Sequence, residues 1–261
     1  MKIIYCGDVV GRSGRDVVLK NIKHIQEKYA PDVIVVNAEN AAHGFGLTPC
    51  ICRDFFAAGV DAITTGNHVY DQREIIPFLD DCKKIVRPLN FPEGNVGRGI
   101  CEIETANGKK LLVVQVMGRA FMEALDCPVQ ALEKVLKNYI LGANISAILV
   151  DIHAEATAEK LSFAYLFDGK VSIVAGTHTH IPTADARILP KKTAYITDVG
   201  MSGDYNSVLG FEPIASIRRL CKKFPSERLV PAKGEGTLYA IYVTTDDKSG
   251  LATHIEQIVL K

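Results

Sequence analysis

The 261-residue sequence predicts an α/β fold, built on a mixed sheet or on two stacked sheets. Short apolar, β-branched runs alternate with amphipathic stretches that are typical of helices. Several of these runs are continuously hydrophobic, as expected of strands that are buried on both faces. Two hairpin signals, at Asn107-Gly108 and Asp246-Asp247, add antiparallel pairs to the parallel ones.

The individual elements follow from local patterns. Helix 15–29 places Val18, Ile22 and Ile25 on one face, and Thr48 is an N-cap that precedes Pro49 at a first helical position. Strands are predicted, in chain order, over residues 2–6, 33–36, 62–64, 101–105, 111–116, 145–150, 171–175, 237–245 and 251–260. Helices are predicted over residues 15–29, from Pro49 onward, over 71–79 and over 129–140.

Composition narrows the class of protein. Lys plus Arg and Asp plus Glu both total 30, so a broad basic surface for duplex nucleic acid or an anionic membrane is not expected. No run reaches the ~18 apolar residues of a membrane span, and the N-terminus lacks a signal-peptide pattern. The seven cysteines are scattered, which favours reduced thiols in a cytoplasm. We expect one domain over residues 1–261, and the oligomeric state, a homo-oligomer included, stays open.

Polar residues follow five of the predicted strands at the points where those strands end. In open α/β sheets, ligands bind beyond the carboxyl ends of the strands, so we expect these side chains to meet. The residues concerned are Asp8, Glu39, Asn40, Asn67, His68, His153, His178 and His180.

Each of these residues alone has an ordinary explanation as a cap, a turn residue or a hydrogen-bonded histidine. Their conjunction favours a metal site. Carboxylate, amide and imidazole ligands without thiolate suit Mn, Fe, Zn, Co or Ni. The set exceeds the three or four protein ligands of one catalytic zinc, so two metals roughly 3.5–4 Å apart and sharing one carboxylate are expected.

At these residues the sequence resembles the calcineurin-like metallophosphoesterases. The shared blocks are Gly7-Asp8, Gly66-Asn67-His68 and the run from Gly176 to His180. The resemblance is closer to the YmdB-like bacterial branch of 2′,3′-cyclic-nucleotide phosphodiesterases, through GDVVGRSGRD, NAENAAHGFGLT, GNHVYD, DIHAEATAEK and AGTHTHIPTAD. Val10 stands where the wider superfamily has a histidine, and Glu39 stands for its second-block aspartate; both features resemble this branch.

The resemblance implies two stacked mixed β-sheets flanked by helices, two divalent metal ions per chain (Fe, Mn or Zn) and His68 as proton donor or transition-state stabiliser. It implies hydrolysis of 2′,3′-cyclic nucleotides, such as 2′,3′-cyclic AMP, to nucleoside monophosphates by in-line attack of metal-bound hydroxide. The implied ligands of the first metal are Asp8, Glu39, Asn40 and His180, and those of the second are Glu39, Asn67, His153 and His178. A phosphatase acting on a phosphomonoester or an RNA end, and a nucleotide-binding regulatory protein, are the alternatives.

Three further residues are candidate substrate contacts. Arg12 lies in a Gly-rich stretch and would contact phosphate, although a plain turn with Ser13 as helix cap explains that stretch as well. His43 and Phe45 follow the Glu39 block. His43 would contact substrate and Phe45 would stack on a base, and a structural loop is the alternative for both.

Overall fold

The computed structural model describes residues 1–221 and 228–261. Its strands are β1 (Lys2–Cys6), β2 (Asp8–Val9), β3 (Val33–Asn37), β4 (Ala62–Thr64), β5 (Ile85–Val86), β6 (Ile100–Glu104), β7 (Lys110–Met117), β8 (Ala147–His153), β9 (Ile173–Thr177), β10 (Arg187–Ile188), β11 (Ala194–Ile196), β12 (Met201–Asp204), β13 (Gly236–Thr245) and β14 (Ala252–Leu260). Its helices are α1 (Gly11–Tyr29), α2 (Pro49–Ala58), α3 (Ile75–Asp81), α4 (Pro128–Leu136), α5 (Thr157–Leu166) and α6 (Pro213–Cys221).

The strands form two mixed sheets. The first has the order β2-β12-β13-β1-β3-β4-β5, with β14 beside β13, and the second has the order β10-β11-β9-β8-β7-β6. Strands β1, β3, β4 and β5 run parallel to one another, whereas β13 is antiparallel to β1. In the second sheet β7, β8 and β9 are parallel and β6 is antiparallel to β7. The predicted class, an α/β fold with two stacked mixed sheets flanked by helices, is confirmed.

The alternation of side chains along β1 explains the layering. Ile3 and Tyr5 pack between the two sheets, while Ile4 and Cys6 pack on the opposite face, against α1, α2 and α3. A third apolar layer joins the outer face of the second sheet to α4 and α5, through residues such as Leu132. Both faces of the central strands are therefore buried, which is why their sequences are continuously hydrophobic.

Helix α1 begins earlier than the predicted residue 15. Residues 11–14 form its first turn, because the Gly11 N–H donates to the Asn40 carbonyl (2.9 Å) and Gly14 N–H to Val10 (3.1 Å). Ser13 is not the predicted cap. Its hydroxyl donates to the carbonyls of Ala232 and Gly234 instead, so the Gly-rich stretch anchors the helix to residues 232–234.

Four other helices differ from expectation, among them α6, which was not predicted. Helix α3 begins at Ile75, since residues before it form the turn that holds His68, and α4 ends at Leu136 instead of 140. Helix α5 was not predicted, because a lysine, Lys160, occupies one of its buried positions and interrupts the apolar pattern. The Thr48 cap of α2 is confirmed by its hydrogen bond from Ile51 N–H (3.3 Å). Among the described residues no helix is long and apolar enough to cross a membrane.

Candidate active site

The carboxyl ends of strands from both sheets carry the polar residues that were expected to meet. From the first sheet come β2, which starts at Asp8, the segment after β3 with Glu39 and Asn40, and the segment after β4 with Asn67. From the second sheet come the last residue of β8, His153, and the segment after β9. The structure brings seven of the eight into mutual contact around one centre, the members being Asp8, Glu39, Asn40, Asn67, His153, His178 and His180.

Glu39 lies in the middle of this cluster and is buried. Its Oε1 atom is 2.9 Å from Asn40 Nδ2 and 3.3 Å from His153 Nε2, and its Oε2 atom accepts from the His68 backbone N–H at 3.4 Å. Burial alone would raise the pKa of Glu39, but the charge and the hydrogen bond of His153 outweigh it and lower the pKa. Glu39 is therefore held as a carboxylate that faces both halves of the cluster.

Asp8 is completely buried, and one of its oxygens, Oδ1, has no hydrogen-bond partner in the described chain; the nearest charge partner is His153 Nδ1 at 4.0 Å. Oδ2 accepts from the His178 N–H at 3.2 Å, whereas Oδ1 makes no hydrogen bond within the described part of the chain. Burial raises the pKa of Asp8 well above its usual range. A buried carboxylate oxygen without a donor is costly, and a bound cation is one way to stabilise it.

Hydrogen bonds on the side of the ring that faces away from the cluster fix the orientation of His153. Its Nδ1 atom is 2.9 Å from Thr177 Oγ1, whose hydroxyl donates to Asp151 Oδ1 at 2.6 Å, so Nδ1 carries a proton and Nε2 faces the cluster. Nε2 lies 2.9 Å from Asn67 Oδ1 and 3.1 Å from His178 Nδ1. Burial lowers the pKa of His153, but Glu39 and the neighbouring aspartates outweigh it, and the net shift is upward.

The backbone at His178 and His180 adopts a conformation that non-glycine residues rarely take, with φ of 94° and 65°. His180 Nδ1 donates to the Leu209 carbonyl (2.9 Å), which leaves Nε2 facing Asn40 Nδ2 at 3.1 Å. Burial lowers the pKa of both imidazoles, for His178 to about 3, with the charge of His153 as a further cause there. Neutral imidazoles are the form that binds metal ions.

A buried ion pair that the sequence analysis missed holds this segment in place. Lys160 is fully buried on α5 and donates to Thr177 O (2.7 Å) and to Asp198 Oδ2 (2.8 Å). Asp198 also accepts from the backbone N–H and the hydroxyl of Thr179, at 3.1 and 2.8 Å. The residue between the two histidines is thus tied to a charged pair, and this offsets the strain of the left-handed backbone.

Gly66 lets the first-sheet and second-sheet residues approach each other. A Cβ atom on Gly66 would lie 2.0 Å from Glu39 Oε2 and 2.6 Å from His153 Nε2. A side chain there would therefore displace the residues of the cluster. This close approach explains why the Gly66-Asn67-His68 block begins with a glycine.

The cluster contains two groups of ligand atoms, and each fits one metal ion. Glu39, His153 and His178 form one group, and Asp8, Glu39 and His180 form the other; within each group the atoms lie within 4.8 Å of one another. The two groups share Glu39. The donors are oxygen and nitrogen only, the set that suits Mn, Fe and Zn, and Asp8, whose Oδ1 atom makes no hydrogen bond in the described chain, belongs to one group. The residues present therefore fit divalent ions.

A cavity of about 300 Å³ opens beside the cluster and is lined by Glu39, His178, His68 and Phe45 among others. His68 Nδ1 lies 2.8 Å from Asp71 Oδ2, which orients the imidazole. The Phe45 ring meets the His68 ring edge-on at 5.0 Å and stacks on Phe211 at 5.2 Å. Asp71 was missed by the sequence analysis, although its position three residues after His68 could have indicated it.

The remaining two predicted contacts lie elsewhere. Arg12 and His43 are exposed and line a second, larger cavity of about 740 Å³, and neither lines the cavity beside the cluster. Phe45, only two residues from His43, does line it. The structure therefore separates a group that the sequence analysis had placed around one substrate, and the predicted roles of Arg12 and His43 stay predictions.

The fold and this cluster define an α/β sandwich of two sheets with a candidate metal centre at its strand ends. The sequence matches the family model described as YmdB-like protein over residues 4–258, so the chain belongs to the YmdB-like family. The resemblance stated from the motifs is thereby confirmed.

Known relatives cover the whole chain. A Bacillus subtilis (strain 168) protein named 2′,3′-cyclic-nucleotide 2′-phosphodiesterase is 45% identical over 260 residues, which are 100% of this chain and 97% of that protein. The crystal structure of a novel phosphatase from Mycoplasma pneumoniae superposes with a TM-score of 0.93 at 34% identity, covering 100% of this chain and 93% of the other. A hypothetical protein from Thermus thermophilus superposes with a TM-score of 0.92 at 39% identity, covering 100% and 99%.

Proposed function

We propose that this chain is a phosphoric ester hydrolase that opens 2′,3′-cyclic nucleotides to nucleoside monophosphates at a centre of two divalent metal ions. The observation that carries the proposal is the pair of ligand groups that share Glu39, one of which contains Asp8, a buried carboxylate with an oxygen that makes no hydrogen bond in the described chain. The names of the Bacillus relative and of the Mycoplasma neighbour support the class of reaction.

Each ion has an assigned set of ligands in this proposal, and Glu39 belongs to both. The first set is Asp8, Glu39, Asn40 and His180, and the second is Glu39, Asn67, His153 and His178. Asn40 and Asn67 extend the two groups of acidic and imidazole ligands, because Asn40 lies 3.1 Å from His180 and Asn67 lies 2.9 Å from His153. Iron, manganese and zinc all suit these ligands.

When bound, two divalent ions supply Lewis acidity to phosphoryl oxygens and activate water as a nucleophile. Among the seven proposed ligand residues only two are carboxylates, and two others are neutral asparagines. The loaded centre therefore keeps a net positive charge, which favours a singly charged phosphodiester.

In this proposal His68, which Asp71 orients, acts on the leaving oxygen or on the phosphoryl group. Water adds its oxygen to phosphorus, the bond from phosphorus to the 2′ oxygen breaks, and that oxygen takes a proton, which gives a nucleoside 3′-monophosphate. His68 lines the cavity, and Asp71 binds its Nδ1, so Nε2 is the nitrogen left to donate that proton or to stabilise charge on the phosphoryl group. Phe45 offers an aromatic ring for the base.

A phosphatase is the second candidate, because the Mycoplasma neighbour carries that name. The test is a panel of 2′,3′-cyclic AMP, 3′,5′-cyclic AMP, adenosine 3′-monophosphate and p-nitrophenyl phosphate at one Mn(II) concentration. We expect turnover of 2′,3′-cyclic AMP to exceed the others and to be lost in Asn67→Ala and His68→Ala, but not in His24→Ala, an exposed histidine of α1. Preference for the monoesters would favour the phosphatase. Unchanged turnover in both site variants would refute the site.

The regulatory alternative makes a different prediction for the same protein. A nucleotide-binding regulator would bind 2′,3′-cyclic AMP tightly when loaded with metal and would release it unchanged. Calorimetric binding combined with product analysis separates the two, and binding without turnover would overturn the proposed hydrolase.

A further inference from the structure

The larger cavity, which lies beside the candidate active site, is strongly cationic. It has a volume of about 740 Å³ and is formed by the first three turns of α1, His43, the segment 230–236 and Lys261. Its cationic side chains are Arg12, Arg15, Lys20, Lys233 and Lys261. The carboxylates on its lining are Asp16 and Glu235, so positive charge predominates.

Three of these cations are available to a ligand. Arg12, Lys20 and Lys233 are exposed, and none of their side chains has a hydrogen bond or ion pair to another residue in the described ranges 1–221 and 228–261. Arg15 is half-buried and donates to the Ala41 carbonyl, and burial together with the nearby Arg12 charge lowers its pKa. Like charges gathered without partners repel one another, and an anion among them would remove that repulsion.

The cationic cavity shares a wall with the candidate active site. His43 lines the cationic cavity, whereas Phe45, two residues later, lines the active-site cavity. Likewise, Val230 lines the cationic cavity and its neighbour Leu229 lines the active-site cavity. Two residues of extended chain span at most ~7 Å, so the wall between the two cavities is thin. Its packing is close, since a Cβ on Gly44 would lie 2.6 Å from Phe211 Cε1. Two neighbouring sites for phosphate match a chain of nucleotides, because one sugar separates each of its phosphates from the next.

A cyclic mononucleotide leaves the cationic cavity without a role, because its single phosphate belongs at the metal centre. A chain of nucleotides that ends in a cyclic phosphate has a second phosphate one sugar away. We propose that the substrate class is a short RNA with a 2′,3′-cyclic phosphate end, whose neighbouring backbone phosphates bind in the cationic cavity. This inference rests on the proposed function and names the substrate for the same site.

The overall charge of the protein limits the length of the contact. The chain has equal numbers of basic and acidic residues, so the attraction is local to the cavity. Single-stranded nucleic acid binds through phosphate contacts whose number sets the salt dependence. A footprint of one or two phosphates, and not a long groove, is the expected contact.

Three substrates test the inference directly. They are adenosine 2′,3′-cyclic phosphate, the same nucleotide with a 5′-phosphate, and the dinucleotide ApA with a 2′,3′-cyclic end. We expect kcat/KM to rise about tenfold from the first to the other two, the effect of one charge-assisted contact. Raising NaCl from about 50 to about 200 mM should reduce that preference about threefold, as one released counterion predicts.

Variants locate the effect in the cavity. We expect Lys20→Glu combined with Lys233→Glu to abolish the preference for the phosphorylated substrates. Lys23→Glu is the matched control, because Lys23 is exposed on the same helix but does not line the cavity. Hydrolysis of the substrate without a 5′-phosphate measures the folding and metal content of each variant.

Binding provides a readout that does not depend on turnover. In Mn(II)-loaded protein, adenosine 3′,5′-bisphosphate should bind about tenfold more tightly than adenosine 3′-monophosphate, and the Lys20/Lys233 double variant should bind both equally. Turnover of the mononucleotide with no preference for a 5′-phosphate would overturn this inference and leave the proposed function standing. No turnover of any cyclic substrate would overturn the proposed function, and the inference with it.

Discussion

The two neighbouring cavities are built in opposite ways. The smaller one is lined in part by buried side chains that follow strand ends, and hydrogen bonds hold these in one orientation, as the Leu209 carbonyl holds His180. The larger one is lined by long, exposed cations such as Lys20 and Lys233, which no neighbour in the described chain fixes. Catalysis requires reacting groups at fixed positions, so side chains held in one orientation suit it. Attraction of a charged ligand does not require fixed positions, so exposed charges suffice for it. The comparison predicts large, geometry-dependent effects in the first cavity and small, salt-dependent effects in the second.

The largest effect is expected at Glu39, because both ligand groups depend on it. Glu39→Gln should lower kcat/KM by at least about 10³-fold, since it removes the shared charge of the centre. Enzyme kinetics together with metal analysis of the purified variant check this. Glu256→Gln, which removes an exposed carboxylate of β14, is the matched control and should leave both measurements unchanged. Full metal content and full activity in Glu39→Gln would contradict the expectation that substitutions beside the smaller cavity have the larger effects.

The next effect is expected at Lys160, which touches no substrate. Lys160→Met leaves Asp198 buried without its cation, so we expect a loss of about 3–5 kcal/mol in the free energy of unfolding and a 10–100-fold loss of metal affinity. Urea denaturation and metal titration measure the two effects. Asp198→Asn in the same chain should restore part of the stability, and Lys134→Met, at an exposed position of α4, should do little. Metal affinity equal to wild type would show that the ion pair does not position the histidines.

Asp71 should act through His68 alone. Asp71→Asn is expected to lower kcat about tenfold with little change in KM, because the imidazole loses the partner that orients it. The double variant Asp71→Asn/His68→Ala should be no slower than His68→Ala. Additive losses in the double variant would contradict a positioning role.

Phe45 is expected to give the smallest effect in this cavity. Phe45→Leu should raise KM for 2′,3′-cyclic AMP about fivefold, at the weak end of base–aromatic stacking, with kcat nearly unchanged. A methyl riboside 2′,3′-cyclic phosphate, which lacks the base, is the matched substrate and should show no increase in KM. An equal increase for both substrates would mean that Phe45 only supports His68, whose ring it contacts.

The sequence predicted which polar residues meet beside the smaller cavity, because those residues follow strands with clear apolar runs. The burial of Lys160 could not be predicted, because lysines are almost always exposed and only the fold shows that Lys160 has a buried acidic partner. Arg12 and His43 were grouped with Phe45 because they are close in sequence. The left-handed backbone at His43, Gly44 and Gly46 reverses the chain locally, so near neighbours face different cavities.

The large cavity itself could not be predicted. Its walls come from α1, from residue 43 and from the segment 230–236, and only the fold places these segments side by side. The composition gives no sign of its charge, because a net charge of zero does not reveal that cations cluster at one place.

The central claim is that two metal ions share Glu39. Crystals of the protein grown with Mn(II), measured at an energy where manganese scatters anomalously, test it most directly. We predict two anomalous peaks roughly 3.5–4 Å apart, one beside Asp8 and His180, the other beside His153 and His178, with the Glu39 carboxylate touching both. A single peak, or two peaks that do not share Glu39, would contradict the account.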